Sequence, residues 1–252
     1  MTQHTVVIGG TAGIGLATAR QLASEGHRVT VVGRDPERLK QAVAELINAP
    51  GPTSTPSHSP SSAVDGRVAS MTDRDSLDTL FAELGAVDHL VVTAPGTGCP
   101  GTLAEMNLET LEEAFGTKFV GTAHAIQAAL PHLAANGSIT LVSAGSAQAP
   151  MPGTAGLAAI NGAVEVLVPT LALELAPIRV NCVAPGVVDT DWWDRVVPVE
   201  QRAQVLAGFN SRTPVGRVGK AEDIADVIAM LGRNGFMTGT VIPVDGGLRL
   251  KA

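Results

Sequence analysis

Short apolar runs rich in Val and Ile recur along the chain at 5–9, 28–32, 67–70, 89–93, 138–143, 179–184 and 240–244, with stretches of helical periodicity between them. Continuous apolar runs of this length read as strands covered on both faces, and their alternation with helices is the pattern of a parallel sheet. The expectation is one α/β domain over residues 1–252, a doubly wound seven-stranded parallel sheet in three α/β/α layers. The pattern breaks twice. Residues 48–66 hold a Pro- and Ser-rich stretch that cannot bury a face, read as a mobile surface insertion. Residues 191–217 form a second irregular segment after a strand end and carry Trp192 and Trp193, a placement that suits a substrate-side lid.

Composition narrows the function classes. With 252 residues and 45% hydrophobic content, the chain has enough apolar surface for a single core. Lys plus Arg total 17 against 24 acids, giving −7, with 3% aromatics, no tyrosine and no basic run, which argues against nucleic acid. The N-terminus has neither a basic n-region nor an 18-residue apolar stretch, so no signal peptide or membrane span is expected, and a cytoplasmic location is. Cys99 and Cys182 are too few for a disulfide framework or a zinc site, and no metal is expected.

The candidate chemistry begins where the first strand runs into Gly9-Gly10-Thr11-Ala12-Gly13-Ile14-Gly15 before a helical stretch. Glycines at 9, 13 and 15 permit a tight turn, bring backbone N–H groups against a pyrophosphate and start the helix close to the sheet, as in Rossmann-type domains. At the end of the second strand, Gly33 stands where an acid would accept from the ribose hydroxyls of NAD, and Arg34 follows. A guanidinium there pairs with a 2′-phosphate, so NADP(H) is expected over NAD(H); Arg34 lying over the next helix is the competing account. Thr11 either adds a hydroxyl to the same phosphate or makes a local turn bond.

The spacing of this loop, with Arg179 through Gly186, Thr190, Thr213-Pro214-Val215-Gly216-Arg217 and Gly239 through Gly247, resembles the short-chain dehydrogenase/reductase family over nearly the whole chain. The resemblance implies cofactor contacts from Ile14 in the loop, from Ala94 and Gly96 after the fourth strand, and from Pro185, Gly186, Val188 (through its backbone) and Thr190 beside the nicotinamide. Thr93-Ala94-Pro95-Gly96 departs from the Asn-Ala-Gly of relatives, and Ser70 stands where many keep an aspartate.

In that family a tyrosine donates the proton, assisted by a serine, a lysine and an asparagine. Aligned on Ala159 and Ala163-Val164-Glu165, Leu157 takes the tyrosine place and Asn161 the lysine place, while Ala144 falls at the serine. Ser143 and Ser146 flank Ala144 as spare hydroxyls; Ser143 substitutes only if the strand end bends, since neighbouring residues in a strand face opposite ways. Lys118 stands at the asparagine place and is the candidate compensating cation or proton donor, with a solvent-reaching lysine as the alternative. Cys99, Asp189 and Asp191 are weaker acid candidates. Trp192 and Trp193 either wall a pocket or pack an interface.

The expected activity is NADPH-dependent reduction of a small hydrophobic carbonyl or imine substrate without the usual triad. A cofactor-bound cyclase or isomerase, or an NADP(H)-sensing binding protein, is the alternative. In relatives the helices equivalent to those across 103–130 and 154–176 pair between subunits, so the resemblance implies a homodimer or homotetramer; their Ala, Gly and Leu residues suit that or packing on the sheet, and Pro169 is expected to kink the second or force a local adjustment.

Overall fold

Consecutive apolar residues in a strand require cover on both faces, and the computed structural model, which describes residues 2–49, 64–93 and 98–251, has that arrangement. The strands are β1 (His4–Ile8), β2 (Arg28–Gly33), β3 (Val64–Val68), β4 (Val87–Val92), β5 (Leu133–Val142), β6 (Arg179–Pro185) and β7 (Val241–Val244). All pair in parallel, in the order β3-β2-β1-β4-β5-β6-β7. The helices are α1 (Gly13–Ser24), α2 (Pro36–Asn48), α3 (Arg74–Leu84), α4 (Leu108–Phe115), α5 (Gly121–Ala129), α6 (Ala155–Glu174), α7 (Val199–Arg212) and α8 (Ala221–Arg233). Val6 and Ile8 point into a core shared with Leu77 and Phe81 of α3, Ile126 of α5 and Val164 of α6. Val7, between them, points the other way, toward Leu22 of α1, Leu39 of α2 and Ile228 of α8. The chain order reverses at β1, so the ends of β1 and β4 open a crevice at the carboxyl edge of the sheet.

Several sequence expectations need correction. The third strand runs over 64–68 rather than 67–70, because Asp65-Gly66 reads as a turn but is a close-packing site: a Cβ on Gly66 would lie 2.7 Å from Val43 Cγ2 of α2. The Pro- and Ser-rich segment is shorter than 48–66, since Asn48 closes α2 and Val64 opens β3; residues 50–63 lie outside the described residues. The segment 191–217 is largely helical, with a 3-10 turn at Asp191–Arg195 followed by the 14-residue α7. β5 begins at Leu133, beyond a register shift opposite β4.

α6 is 20 residues long and, by length and composition alone, apolar enough to cross a membrane. Its Ile160, Val164, Val168 and Ala172 instead bury one face in the domain. Pro169 sits inside this helix without ending it; the ring removes one N–H from the ladder and leaves the carbonyl of Glu165 without that donor.

Opposite the crevice, three histidines are buried among hydroxyl groups. His4 Nε2 lies 2.9 Å from Thr30 Oγ1, His27 Nδ1 3.1 Å from Thr5 Oγ1, and His89 Nδ1 2.8 Å from Ser138 Oγ. Burial lowers the pKa of all three, and His89, with the neighbouring His27 adding to the effect, falls from 6.5 to about 4. A base whose folded pKa is depressed stays neutral while its unfolded form takes up a proton, so the stability it confers is present above about pH 6.5 and is lost between there and about pH 4. His89 alone is expected to remove about 2 kcal/mol between pH 7 and pH 5, read as a fall in the urea midpoint, and His89→Gln should flatten that slope. Identical slopes in the two proteins would contradict this assignment.

Candidate active site

The turn after β1 is tight because its glycines let backbone approach backbone. Gly9 and Gly13 have φ of 83° and 50°, in the left-handed region. A Cβ on Gly15 would fall 2.2 Å from the Gly9 carbonyl oxygen and 2.5 Å from Thr93 Oγ1, so any side chain there would fill the cradle. The Thr93 hydroxyl donates to the Ile8 carbonyl at 3.0 Å and ties the end of β4 to that of β1. α1 has no side-chain cap and no acid in its first turn; its ladder opens with Leu16 N–H to the Ala12 carbonyl, which leaves the N–H groups of Gly13, Ile14 and Gly15 ahead of it. Open N–H groups at the positive end of a helix, beside a loop with no room for a side chain, fit the pyrophosphate of a dinucleotide.

At the end of β2, a Cβ on Gly33 would meet Thr11 Cγ2 at 2.5 Å. Thr11 therefore leans over the place where an acid would stand. Arg34 lines the same cleft, exposed and without an ion pair among the described residues, and so does Arg38 one helical turn later. Arg38 has no signal of its own in the sequence, because Arg34 precedes the Asp35 cap and the two are not related by helical spacing. Asp35 accepts from the Glu37 and Arg38 N–H groups, which occupies it as the cap of α2. Ser70 and Thr72, paired at 2.9 Å, complete this end.

The floor of the cleft owes its main feature to an extra residue. Between α4 and α5 the chain makes a π-helical turn at Gly116–Val120, a geometry that rotates side chains out of the α register and recurs at functional sites. Lys118 sits in this turn and reaches the end of β5, its Nζ 3.5 Å from the Ser143 carbonyl oxygen. Burial brings its pKa from 10.5 down to about 8, against the opposing pull of Cys182 and Glu165.

Ser143 faces Lys118 with its carbonyl, while its hydroxyl donates to Glu165 Oε1 at 2.7 Å. Gln148 holds the other oxygen of Glu165 at 3.0 Å. Ser146 is paired with Asn161, whose Nδ2 donates to Ser146 Oγ at 3.3 Å and to the Leu157 carbonyl at 2.8 Å. Asn161 is 2% exposed, and its Oδ1 has no partner among the described residues, which leaves one buried acceptor unused. Lys118, Ser143, Ser146, Asn161 and Leu157 all line the one cleft.

The wall opposite comes from the end of β6. Pro185, Gly186, Val188 and Thr190 line it. A Cβ on Gly186 would stand 2.7 Å from Asp245 Cα, and Thr190 packs on Gly13 with 3.3 Å between its Cβ and the position of a Cβ there. The Val188 carbonyl accepts from the Trp193 indole at 2.9 Å. Arg202 of α7 fastens the segment by donating to Asp189 and Asp194, each at 2.7 Å, and to the Thr190 carbonyl. Trp192, Trp193 and Phe209 then stand together beside Met151, Leu157 and Ile160. The cleft measures about 690 Å³, within the range of small-molecule sites.

Other sequence candidates fall differently. Ala94 and Gly96 lie outside the described residues. Cys99 is buried against Gly156, burial pushes its thiol pKa up, and it is not part of the cleft lining. Asp189 is held by Arg202, whereas Asp191 is exposed in the cleft.

This geometry agrees with comparisons along the whole chain. Residues 9–249 match the family model described as enoyl-(acyl carrier protein) reductase. The chain is 33% identical to the 3-oxoacyl-(acyl-carrier-protein) reductase FabG of Thermotoga maritima, over 96% of each chain. A small-chain dehydrogenase solved in complex with NADPH superposes with a TM-score of 0.80 at 33% identity, covering 99% of this chain and all of the other. The MalC reductase/Diels-Alderase of Malbranchea aurantiaca superposes with a TM-score of 0.88 at 26% identity, over 99% and 97% of the two chains. With its nucleotide cradle intact, the protein belongs to the short-chain dehydrogenase/reductase family and is an oxidoreductase that acts with NAD(P)H.

Proposed function

We propose that the protein reduces an apolar substrate bearing a carbon–oxygen or carbon–nitrogen double bond, with NADPH as reductant and Lys118 in place of a phenolic acid. The observation that carries this reading is one cleft with Arg34 and Arg38 at its nucleotide end, an aromatic wall at the other, and a half-buried ammonium on the floor between them. Gly9, Gly13, Ile14 and Gly15 would hold the pyrophosphate, Arg34 and Thr11 the 2′-phosphate, and Pro185, Gly186, Val188 and Thr190 the nicotinamide end. When bound, the dinucleotide supplies the hydride.

The residues of the chain supply position and proton. By the family alignment Leu157 and Asn161 stand at the tyrosine and lysine places, and the chain has no tyrosine at all. Lys118 is then the acid: a desolvated ammonium gives up its proton near neutral pH, where an ordinary lysine would hold it. Ser146, held by Asn161, offers a hydroxyl to the substrate heteroatom. An imine already carrying positive charge needs little of this help, which makes it the easiest substrate for such a floor.

A second reading has its own support. The MalC chain of the same fold is named a reductase and a Diels-Alderase, and a cyclisation without net redox change would use the same shaped apolar wall. We also infer a cytoplasmic homodimer or homotetramer, supported by apolar side chains left exposed on the helices expected to pair, among them Leu108, Val166 and Leu173.

Two outcomes test the leading reading. Replacing Arg34 and Arg38 together by Leu should weaken NADPH about 10- to 100-fold by calorimetry and leave NADH unchanged; equal loss of both nucleotides would contradict the phosphate assignment. Because protonated Lys118 is the acid, wild-type kcat/KM should fall as pH rises through about 8, and Lys118→Met should abolish that limb and lower kcat by about 10²- to 10⁴-fold. A Lys118→Met enzyme with undiminished rate and the same profile would overturn the role.

A further inference from the structure

Of the 13 arginines, seven are paired with a carboxylate. The other six make no ion pair among the described residues, and four of those six line the cleft: Arg34 and Arg38 at one end, Arg195 and Arg212 at the other. The first two answer to the nucleotide. The second two belong to the segment 191–217, on the 3-10 turn and α7 that carry the aromatic wall, and have no role in holding the nucleotide phosphates.

Their setting is built for an anion. The Arg212 guanidinium lies over the Phe209 ring, 5.6 Å from its centroid, so the ring takes one face of the fork and leaves N–H edges for a planar partner. Phe209 in turn packs at a tilt against Trp193, 5.9 Å between ring centroids, and Trp193 meets Trp192 edge-to-face at 5.2 Å, so the cation stands at the end of an apolar surface. The carboxylates at this end are mostly occupied: Asp194 holds Arg202 and Asp245 holds Arg249. Asp191 alone lines it without an ion pair among the described residues, which leaves this end with a surplus of positive charge in a chain of net charge −7.

We propose that Arg195 and Arg212 form an anion subsite, and that the substrate is an apolar molecule carrying a carboxylate or phosphate at the end remote from its reacting bond. The proposal rests on the cleft being a substrate site and narrows the class of molecule it takes. Both side chains are exposed, so a neutral hydrophobic substrate would leave their guanidinium groups to water alone.

The test uses the only two tryptophans of the chain, both in the segment 191–217, as the reporter. After calorimetry has established NADPH binding, decanoate, decyl phosphate and uncharged decanamide are titrated into NADPH-saturated protein, and the change in tryptophan fluorescence is followed. One or both anions should reach half-saturation at about tenfold lower concentration than the amide; the tighter of the two identifies the anion. Arg195→Gln with Arg212→Gln should erase that preference while amide and NADPH affinities stay unchanged. Equal half-saturation for anion and amide in the wild type, or the same preference in the double variant, overturns the subsite and leaves the reductase reading standing. Failure of all three probes to bind the NADPH-saturated protein overturns both.

Discussion

The arrangement of the site depends on how a lysine ammonium can be kept at the end of a parallel sheet. Lys118 has one backbone carbonyl 3.5 Å away and no carboxylate in ion-pair contact among the described residues, so desolvation dominates its chemistry and brings its pKa to about 8. Glu165 sits near enough to act on it through space, yet its oxygens are taken by Ser143 and Gln148. The π-helical turn is the device that makes this possible, because an α-helical register through Gly116–Val120 would carry residue 118 to a different azimuth.

Around that group the other parts are held by close approach rather than by large buried areas. Gly15 lets α1 sit against the turn after β1, Gly186 lets the end of β6 sit against Asp245, and Gly13 accepts the side chain of Thr190. The nucleotide cradle and the opposite wall are therefore in direct contact, and a side chain added at any of these points would displace both. Arg202 does for the segment 191–217 what these glycines do for the walls: its three acceptors span the loop and the 3-10 turn, so the aromatic side chains are anchored to α7.

Much of this was legible in the residues. Strands buried on both faces announce themselves as unbroken apolar runs, and six of the seven were found near their places. β3 was displaced because Asp65-Gly66 carries turn chemistry while its physical role is packing against α2. The tight turn after β1 is legible because glycine there is a steric requirement. The helical character of residues 191–217 is hidden because α7 buries little beyond Leu206 and so shows no strong apolar stripe. Which way Ser143 turns, and the π-helical turn itself, depend on tertiary partners such as Glu165 and leave no periodic trace. Arg38 escaped because a lone arginine on a surface helix looks like any other; only the fold brings it beside Arg34.

The claim at the centre of this account is that the cleft performs a reduction without a phenol. Its most direct test is isotope transfer: NADPH deuterated at the nicotinamide C4 is incubated with the protein and a panel of apolar ketones, imines and iminium ions, and the products are weighed by mass spectrometry. The account predicts one deuterium on the former carbonyl or imine carbon, with stoichiometric oxidation of the nucleotide. Products of unchanged oxidation state carrying no deuterium, formed while NADPH remains intact, would contradict it.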